Sequence, residues 1–366
     1  MKVTLVAGFD PAQPAASGVQ SYVTSLGKKL AELGQEVEVL SLGSRRSVSG
    51  GIEFVPVASG VHNSFEFVLA LGRYLGRRKD PAKVVHANRA DDLIPFHFLK
   101  PQAKKVLTLH GDHGVQVRAR RGRTSAALYH LGEQYSLPRT QSIICVSRST
   151  KADFCDRYPW LAAQLRLIPA GVDLELFRPG ESRSPRGKIG VPETAKLATF
   201  VGRFEPEKDP LSIVEQFMGL HKHHPDAHLL MIGEGRLDVE VRRRASFSRG
   251  SIRIAGPVAQ RELAQILAVS DLLVLASKHE GLPTVALEAL ACGVPVVGPR
   301  VGVLPQVVEP GINGFLIGSR LDLQTLMEKA LYETAWVPAA CRASVLVYGW
   351  EKVAPAILEV YREIAS

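Results

Sequence analysis

The chain has 366 residues, of which 46% are hydrophobic and 22% charged, and a formal net charge of +9. This composition excludes a disordered, collagenous or disulfide-scaffold protein and leaves a globular one long enough for two domains. No stretch offers about 18 uninterrupted apolar residues, and MKVTLVAGFD lacks the apolar core and cleavage site of a secretory signal, so neither a transmembrane helix nor export is expected.

In chain order, KVTLVAG (2–8) reads as a buried strand, and a Pro/Gly loop leads to a helix over about 18–34. EVEVLSL (36–42), KVVHAN (83–88), KVLTLHG (105–111) and SIICVS (142–147) read as further strands. Strands alternating with helices predict a parallel sheet covered on both faces. Residues 1–179 hold 24 Lys and Arg against 15 Asp and Glu, so the whole positive excess falls in this half. Much of it lies in Arg77, Arg78, Lys79, Lys100, Lys104, Lys105, Arg118, Arg120, Arg121 and Arg123. Either a solvated face or an anionic partner (a membrane surface, a nucleic acid, an acidic substrate) accounts for such asymmetry.

RPGESRSPRGK (178–188) is polar and rich in Pro, Gly and Ser, and reads as a linker. The alternation then restarts. LATFVGR (197–203), HLLMIGEG (228–235), SIRIAG (251–256), DLLVLAS (271–277) and VPVVG (294–298) read as strands with helices between them. HKHHPDAH (221–228) has a metal-like composition, but its setting between a helix and a strand predicts an exposed connection, and no metal site is expected. YGWEKVAPAILEVYREI (348–364) is a helical pattern that Pro355 should kink or interrupt. The expected organisation is an N-terminal domain over 1–178, a linker over 179–188, a C-terminal domain over 189–345 and a helical segment over 346–366. Cys145, Cys155, Cys292 and Cys341 form no C-x-x-C pair and are expected to be buried small apolar groups in a reducing cytosol.

In open parallel sheets, ligands bind beyond the carboxyl ends of the strands. In the second half, the residues at those positions are Arg203 and Lys208 in GRFEPEKDP, Glu234 in IGEG, the loop Gly256, Pro257 and Val258, and Lys278-His279-Glu280-Gly281. Within HEGLPTVALEALACGVPVV (279–297), Gly281, Leu282, Pro283 and Thr284 form a turn. A helix should begin near Pro283 and stop at Gly293. Its first turn offers free N–H groups and the positive end of the helix dipole, a natural phosphate site. Arg203 and Lys208 could supply the full charges a diphosphate requires. Glu288 shares a helix face with Thr284, one turn below, and is placed to accept hydrogen bonds from paired hydroxyls such as those of a ribose. Glu280, at the rim, could orient the hydroxyls of a second sugar. Any one of these residues alone reads as a surface charge or a structural acid. Together on one predicted edge they describe a site for a nucleotide diphosphate sugar.

GRFEPEKD, IGEG, EGLPTVALEALACGVPVVG and GVLPQVVEPGINGFLI resemble the retaining glycosyltransferases of family 4, whose signature is two Glu residues separated by seven others. The resemblance covers nearly the whole chain and extends to the N-terminal Gly loop, TLHG, IPAGVD (168–173) and the last helix with Trp350 and Tyr361. It implies an α/β protein of the GT-B fold: two Rossmann-like parallel-sheet domains facing an interdomain cleft, with a C-terminal helix returning to the N-terminal domain. It implies donor diphosphate contacts for Arg203 and Lys208, ribose for Glu288, the transferred sugar for Glu280, and backbone contacts to sugar and phosphate from Gly281, Leu282, Pro283 and Thr284. His110 in TLHG matches a histidine that meets the donor sugar, and Gly18 a glycine loop that faces the phosphates. The base lies near Gly256, Pro257 and Val258. The chain departs from the family pattern in having Ser17-Gly18 where two glycines are frequent, and Ala170 where Asn is frequent.

The implied activity is metal-independent transfer, with retention, from a nucleotide diphosphate sugar to a hydroxyl. No cofactor is expected; the donor is a substrate, with a UDP-sugar slightly preferred over a GDP-sugar. The N-terminal half should dock the acceptor, a lipid-linked or other anionic glycan intermediate, and the basic excess suits an anionic membrane surface there. Location is expected in the cytoplasm, peripheral to the inner membrane face. Two alternatives are a nucleotide-sugar epimerase on the same scaffold and a non-enzymatic basic protein that binds nucleic acid. The chain carries no evident base-stacking motif or recognition helix, so no nucleic-acid partner is expected.

Overall fold

The computed structural model describes residues 1–13, 18–61, 63–79, 82–111, 126–180, 184–278, 283–319 and 321–366. The chain forms two compact units, Met1–Gly171 with Trp350–Ser366, and Val172–Gly349.

The first unit holds β1 (Lys2–Val6), β2 (Glu36–Leu42), β3 (Ser47–Ser49), β4 (Ile52–Ala58), β5 (Val84–Ala87), β6 (Lys104–Leu109), β7 (Ser142–Cys145) and β8 (Leu165–Leu167). They form one sheet in the order β3-β4-β2-β1-β5-β6-β7-β8. Only the β3–β4 pair is antiparallel. β1 is central, and Val3, Thr4, Leu5 and Val6 are all buried, as a strand covered on both faces requires. Helices α1 (Gly18–Glu32), α2 (Ser64–Arg77), α3 (Ile94–Leu99), α4 (126–136) and α5 (Arg148–Arg157) supply the cover. Two of them begin on side-chain caps: Asn63 accepts from the Glu66 N–H at 3.0 Å, and Ser147 from that of Thr150 at 3.1 Å.

The last helix, Trp350–Ala365, belongs to the first unit and packs against α1. Trp350, Val353, Ile357, Leu358 and Tyr361 form its buried face. Of the kink or interruption expected at Pro355, the interruption does not occur: the helix runs on through it. Pro355 stands one turn in, on the exposed face, so it costs one backbone hydrogen bond and no core contact.

The second unit holds β9 (Lys196–Val201), β10 (Ala227–Ile232), β11 (Ile252–Ala255), β12 (Leu272–Val274), β13 (Val296–Pro299) and β14 (Gly314–Ile317), all parallel, in the order β11-β10-β9-β12-β13-β14. Alternate strand residues feed opposite cores. Leu197, Leu273 and Val296 join Leu267, Leu287 and Leu290 on one face, while Ala198, Phe200, Met231 and Val274 join Ile213, Phe217 and Met327 on the other. The covering helices include α6 (Pro210–His223), α7 (Asp238–Ala245), α8 (Gln260–Leu267) and α9 (Thr284–Ala291).

The polar stretch expected to link the halves puts Arg186 wholly inside the second unit. Its guanidinium donates to the Val269, Glu193 and Ala195 carbonyls and pairs with Asp271 at 2.8 Å. Within HKHH, two histidines take structural partners: His221 meets the Ala227 carbonyl, and His224 bonds Glu328 and stacks on Tyr332 at 3.9 Å. Among the described residues no helix is long and apolar enough to cross a membrane.

Candidate functional site

In each sheet, the strand order reverses at one point, and the loops leaving the strands there open a crevice. In the second unit that point lies between β9 and β12. The loop after β9 carries Arg203 and Lys208, and the one after β12 runs from Leu275 through Ser277 and Lys278.

Backbone hydrogen bonds hold these loops together. The Phe204 N–H donates to the Glu234 carbonyl, and the Leu237 N–H returns to that of Phe204, both at 2.8 Å. The Lys278 N–H donates to the Glu207 carbonyl at 2.8 Å. The Arg203 loop is thereby tied to the Glu234 loop on one side and to the segment leading into α9 on the other. Gly233 permits the close approach. Its φ is +139°, and a Cβ there would lie 2.0 Å from the Gly202 carbonyl oxygen. The turn after Arg203 closes through the Lys208 and Asp209 N–H groups, which both donate to the Glu205 carbonyl.

The Arg203 side chain is 39% exposed, with Nη2 3.4 Å from Glu207 Oε1. Lys208 is half-buried and Glu234 exposed. Gly256 and Pro257 are exposed beyond β11, and Val258 is half-buried. The loop after β11 touches the Gly233 loop through the Gly233 N–H and the Ala255 carbonyl, 3.2 Å apart. Pro283 caps α9 without a side-chain hydrogen bond, and Thr284 is its first residue. Helix α9 ends where expected: Gly293 has φ +79°, and its N–H and that of Val294 close on the Leu290 and Ala289 carbonyls.

Glu288 sits one turn inside α9, 7% exposed. Among the described residues its carboxylate has no hydrogen-bond or ion-pair partner. Burial pushes its carboxyl up to about 7. A buried acid without a protein partner is costly to ionise, and a diol donating two hydrogen bonds would relieve that cost. Glu280, Gly281 and Leu282 lie outside the described residues.

In the first unit the order reverses between β1 and β5. Gly18 opens α1 and is exposed. His110 follows β6. Its Nε2 lies 2.8 Å from Asn88 Oδ1, just beyond β5, and Tyr22 of α1 meets its ring edge-to-face at 4.7 Å. Burial brings His110 down to about 4, so the ring is neutral near pH 7. Behind it lies a buried chain: Tyr22 Oη to Thr108 Oγ1 at 3.3 Å, Thr108 Oγ1 to His86 Nε2 at 2.7 Å, and His86 Nδ1 to the Tyr361 hydroxyl on the last helix.

Reading the sequence passed over Glu207, Gly233, Asn88 and Tyr22. Glu207 stands four residues after Arg203, a spacing that could have been noticed. Asn88 and Tyr22 become neighbours of His110 only through the sheet. GINGFLI, noted for its resemblance, is structural here: buried Asn313 accepts from the Glu309 N–H at 2.7 Å and donates to the Val307 carbonyl at 2.8 Å.

The family model for Glycosyl transferases group 1 matches residues 182–332, and that for Glycosyltransferase Family 4 matches residues 16–176. The chain is 29% identical to a D-inositol 3-phosphate glycosyltransferase of Kineococcus radiotolerans, over 96% of this chain and 92% of that protein. To the protein of the same description from Frankia alni it is 26% identical, over 97% of each. Among solved structures, a sucrose-phosphate synthase from Thermosynechococcus elongatus aligns with a TM-score of 0.82 at 22% identity, covering 99% of this chain and 98% of that one. Anabaena HepE in complex with UDP-glucose aligns with a TM-score of 0.78 at 17% identity, covering 99% and 100%.

Proposed function

The chain belongs to glycosyltransferase family 4 and has the GT-B fold, and from that premise we propose that it moves a sugar, with retention and without a metal, from a nucleotide diphosphate sugar to a hydroxyl of an anionic acceptor. The observation that carries this reading is the joining of the Arg203–Lys208 loop to the segment that opens α9, through the Lys278 N–H and the Glu207 carbonyl, with Glu288 buried one turn inside. Arg203, Lys208 and the first N–H groups of α9 are assigned the diphosphate, and Glu288 the ribose. The base is assigned to the loop of Gly256, Pro257 and Val258, with Glu234 beside it. Glu280, Gly281 and Leu282 keep the assignment to the transferred sugar and its phosphate that the resemblance implies. His110 is assigned a contact with the same sugar, and Gly18 the phosphates. The complex of HepE with UDP-glucose favours UDP as the nucleotide.

Catalysis then rests on charge arranged in advance. As the bond between sugar and diphosphate breaks, negative charge grows on the leaving phosphate, where Arg203, Lys208 and the α9 dipole stabilise it. The acceptor hydroxyl attacks on the same face, and the departing phosphate oxygen takes its proton. Glu280 and Glu288 do not form a glycosidase pair, because such carboxylates flank the scissile bond and Glu288 is assigned to the nucleotide.

The acceptor is assigned to the first unit, which carries the positive excess of residues 1–179. The inositol-phosphate glycosyltransferase relatives support a phosphate-bearing acceptor, and the basic surface suits one presented at an anionic membrane on the cytoplasmic side. Arg203→Ala is expected to lower kcat by about 10²–10³-fold with a UDP-sugar donor. Turnover within a few-fold of the parent would remove Arg203 from the diphosphate and the reading with it.

A further inference from the structure

Asn88 stands against His110 with its amide orientation already decided. Its Nδ2 donates to the Val6 carbonyl, at 3.4 Å, and a carbonyl can only accept. A flipped amide would set two oxygens against each other at that point. Oδ1 therefore faces His110 Nε2, 2.8 Å away. That oxygen can only accept as well, so Nε2 carries the proton.

His110 is a neutral ring, so its Nδ1 then holds a lone pair. No described residue takes it. The other groups around the ring do not alter the outcome. Tyr22 presents a ring and sends its hydroxyl to Thr108. His86, in the neighbouring strand, is itself neutral, held down at about 3 by burial, with both nitrogens already hydrogen-bonded.

We infer that Asn88 is a positioning residue: through the Val6 carbonyl and its own amide it locks His110 in the Nε2-protonated neutral form, leaving Nδ1 as an acceptor for a hydroxyl of the transferred sugar. This rests on the assignment of His110 to that sugar. A histidine free to choose its tautomer would present a donor there part of the time, and only the Nδ1 lone pair can accept the proton of a sugar hydroxyl whose oxygen is engaged elsewhere. Asn88 thus selects which nitrogen meets substrate without touching it.

The test uses the full chain labelled with ¹⁵N-histidine, with His110 assigned among the 11 histidines by the signals lost in His110→Ala. At pH 7 the imidazole correlations should show His110 as the Nε2–H tautomer, and Asn88→Ala should convert it to a mixture. Asn88→Asp keeps an acceptor for Nε2 and should keep the tautomer, at a cost in stability because its second oxygen replaces the donor to the Val6 carbonyl. The added charge should raise the ring's pKa by about one unit or more and move the acid limb of kcat to higher pH. Asn88→Ala should lower kcat/KM about tenfold, the effect of one lost hydrogen bond. An Nδ1–H tautomer in the parent protein, or an unchanged tautomer in Asn88→Ala, overturns the role of Asn88 whatever the activity. A changed tautomer with donor kinetics untouched in both Asn88→Ala and His110→Ala instead overturns the assignment of His110 to the sugar. Should Asn88→Ala fail to fold, the parent spectrum and the Asn88→Asp profile decide the matter alone.

Discussion

At the scale of single residues, Glu288 carries a measurable signature. Burial pushes its carboxyl from the ordinary 4.5 up to about 7. The fold therefore favours the protonated acid. The stabilisation is fully present below about pH 4.5 and is lost as pH rises through about 7. Glu288→Gln removes this dependence, so the variant's stability relative to the parent should rise by on the order of 3 kcal/mol between pH 4.5 and 8, without donor. Urea unfolding at the two pH values reads it; parallel profiles would mean the acid is not strained. The same variant should bind a UDP-sugar more weakly, since a neutral amide is a poorer acceptor for the ribose hydroxyls. Arg203, Lys208, Glu234 and Glu288 could be picked as candidates because helix spacing and strand-end position are properties of one short segment, whereas His110 and Gly18 came from the resemblance alone. Asn88 was not, because its partner stands 22 positions away and only the pairing of β5 with β6 brings the two together.

At the scale of elements, the alternation of strand and helix was readable wherever a strand is an apolar run. The strands passed over were β3, β4, β8 and β14. In β4 the signal is broken by Pro56, a residue disfavoured inside a sheet. Pro56 is tolerated because β3 pairs only with Ile52–Phe54, so beyond Phe54 that edge of β4 needs no donor, and the β2 pairing shifts register at the same place. β3 and β8 have three residues each, too few to show a period. The loop between β10 and α7 yields a sharper prediction. Gly233→Ala would drive a Cβ to 2.0 Å from the Gly202 carbonyl in a backbone conformation alanine rarely adopts. It should lower the urea midpoint with an unchanged slope, by on the order of 3 kcal/mol, and depress kcat through displacement of Arg203. A midpoint equal to the parent's would show that the two loops can separate without cost.

At the scale of the whole molecule, charge and apolar surface coincide in the first unit. Phe98, Leu128 and Leu131 are each more than 60% exposed. Phe98 stacks on Tyr135, and the Arg139 guanidinium lies 4.1 Å from the centre of that ring. Lys100 and Lys104 lie near Phe98 in the chain. Basic residues at an anionic bilayer contribute about 1 kcal/mol each, and salt screens them. The chain should float with vesicles rich in anionic lipid at low salt and sediment free at high salt, with Phe98→Ala weakening the low-salt signal. Indifference to vesicle charge would dissociate the basic surface from a lipid-borne acceptor. A different consequence follows from the last helix. It buries Trp350 and Tyr361 against elements near the start of the chain, and all of Val172–Gly349 is translated before it. On the ribosome, the first unit therefore waits without the cover of this helix on α1 and β6 while the second is made, its His86 without the tyrosine hydroxyl. A nascent chain stalled after Gly349 should offer chaperones a surface that release of the finished polypeptide withdraws.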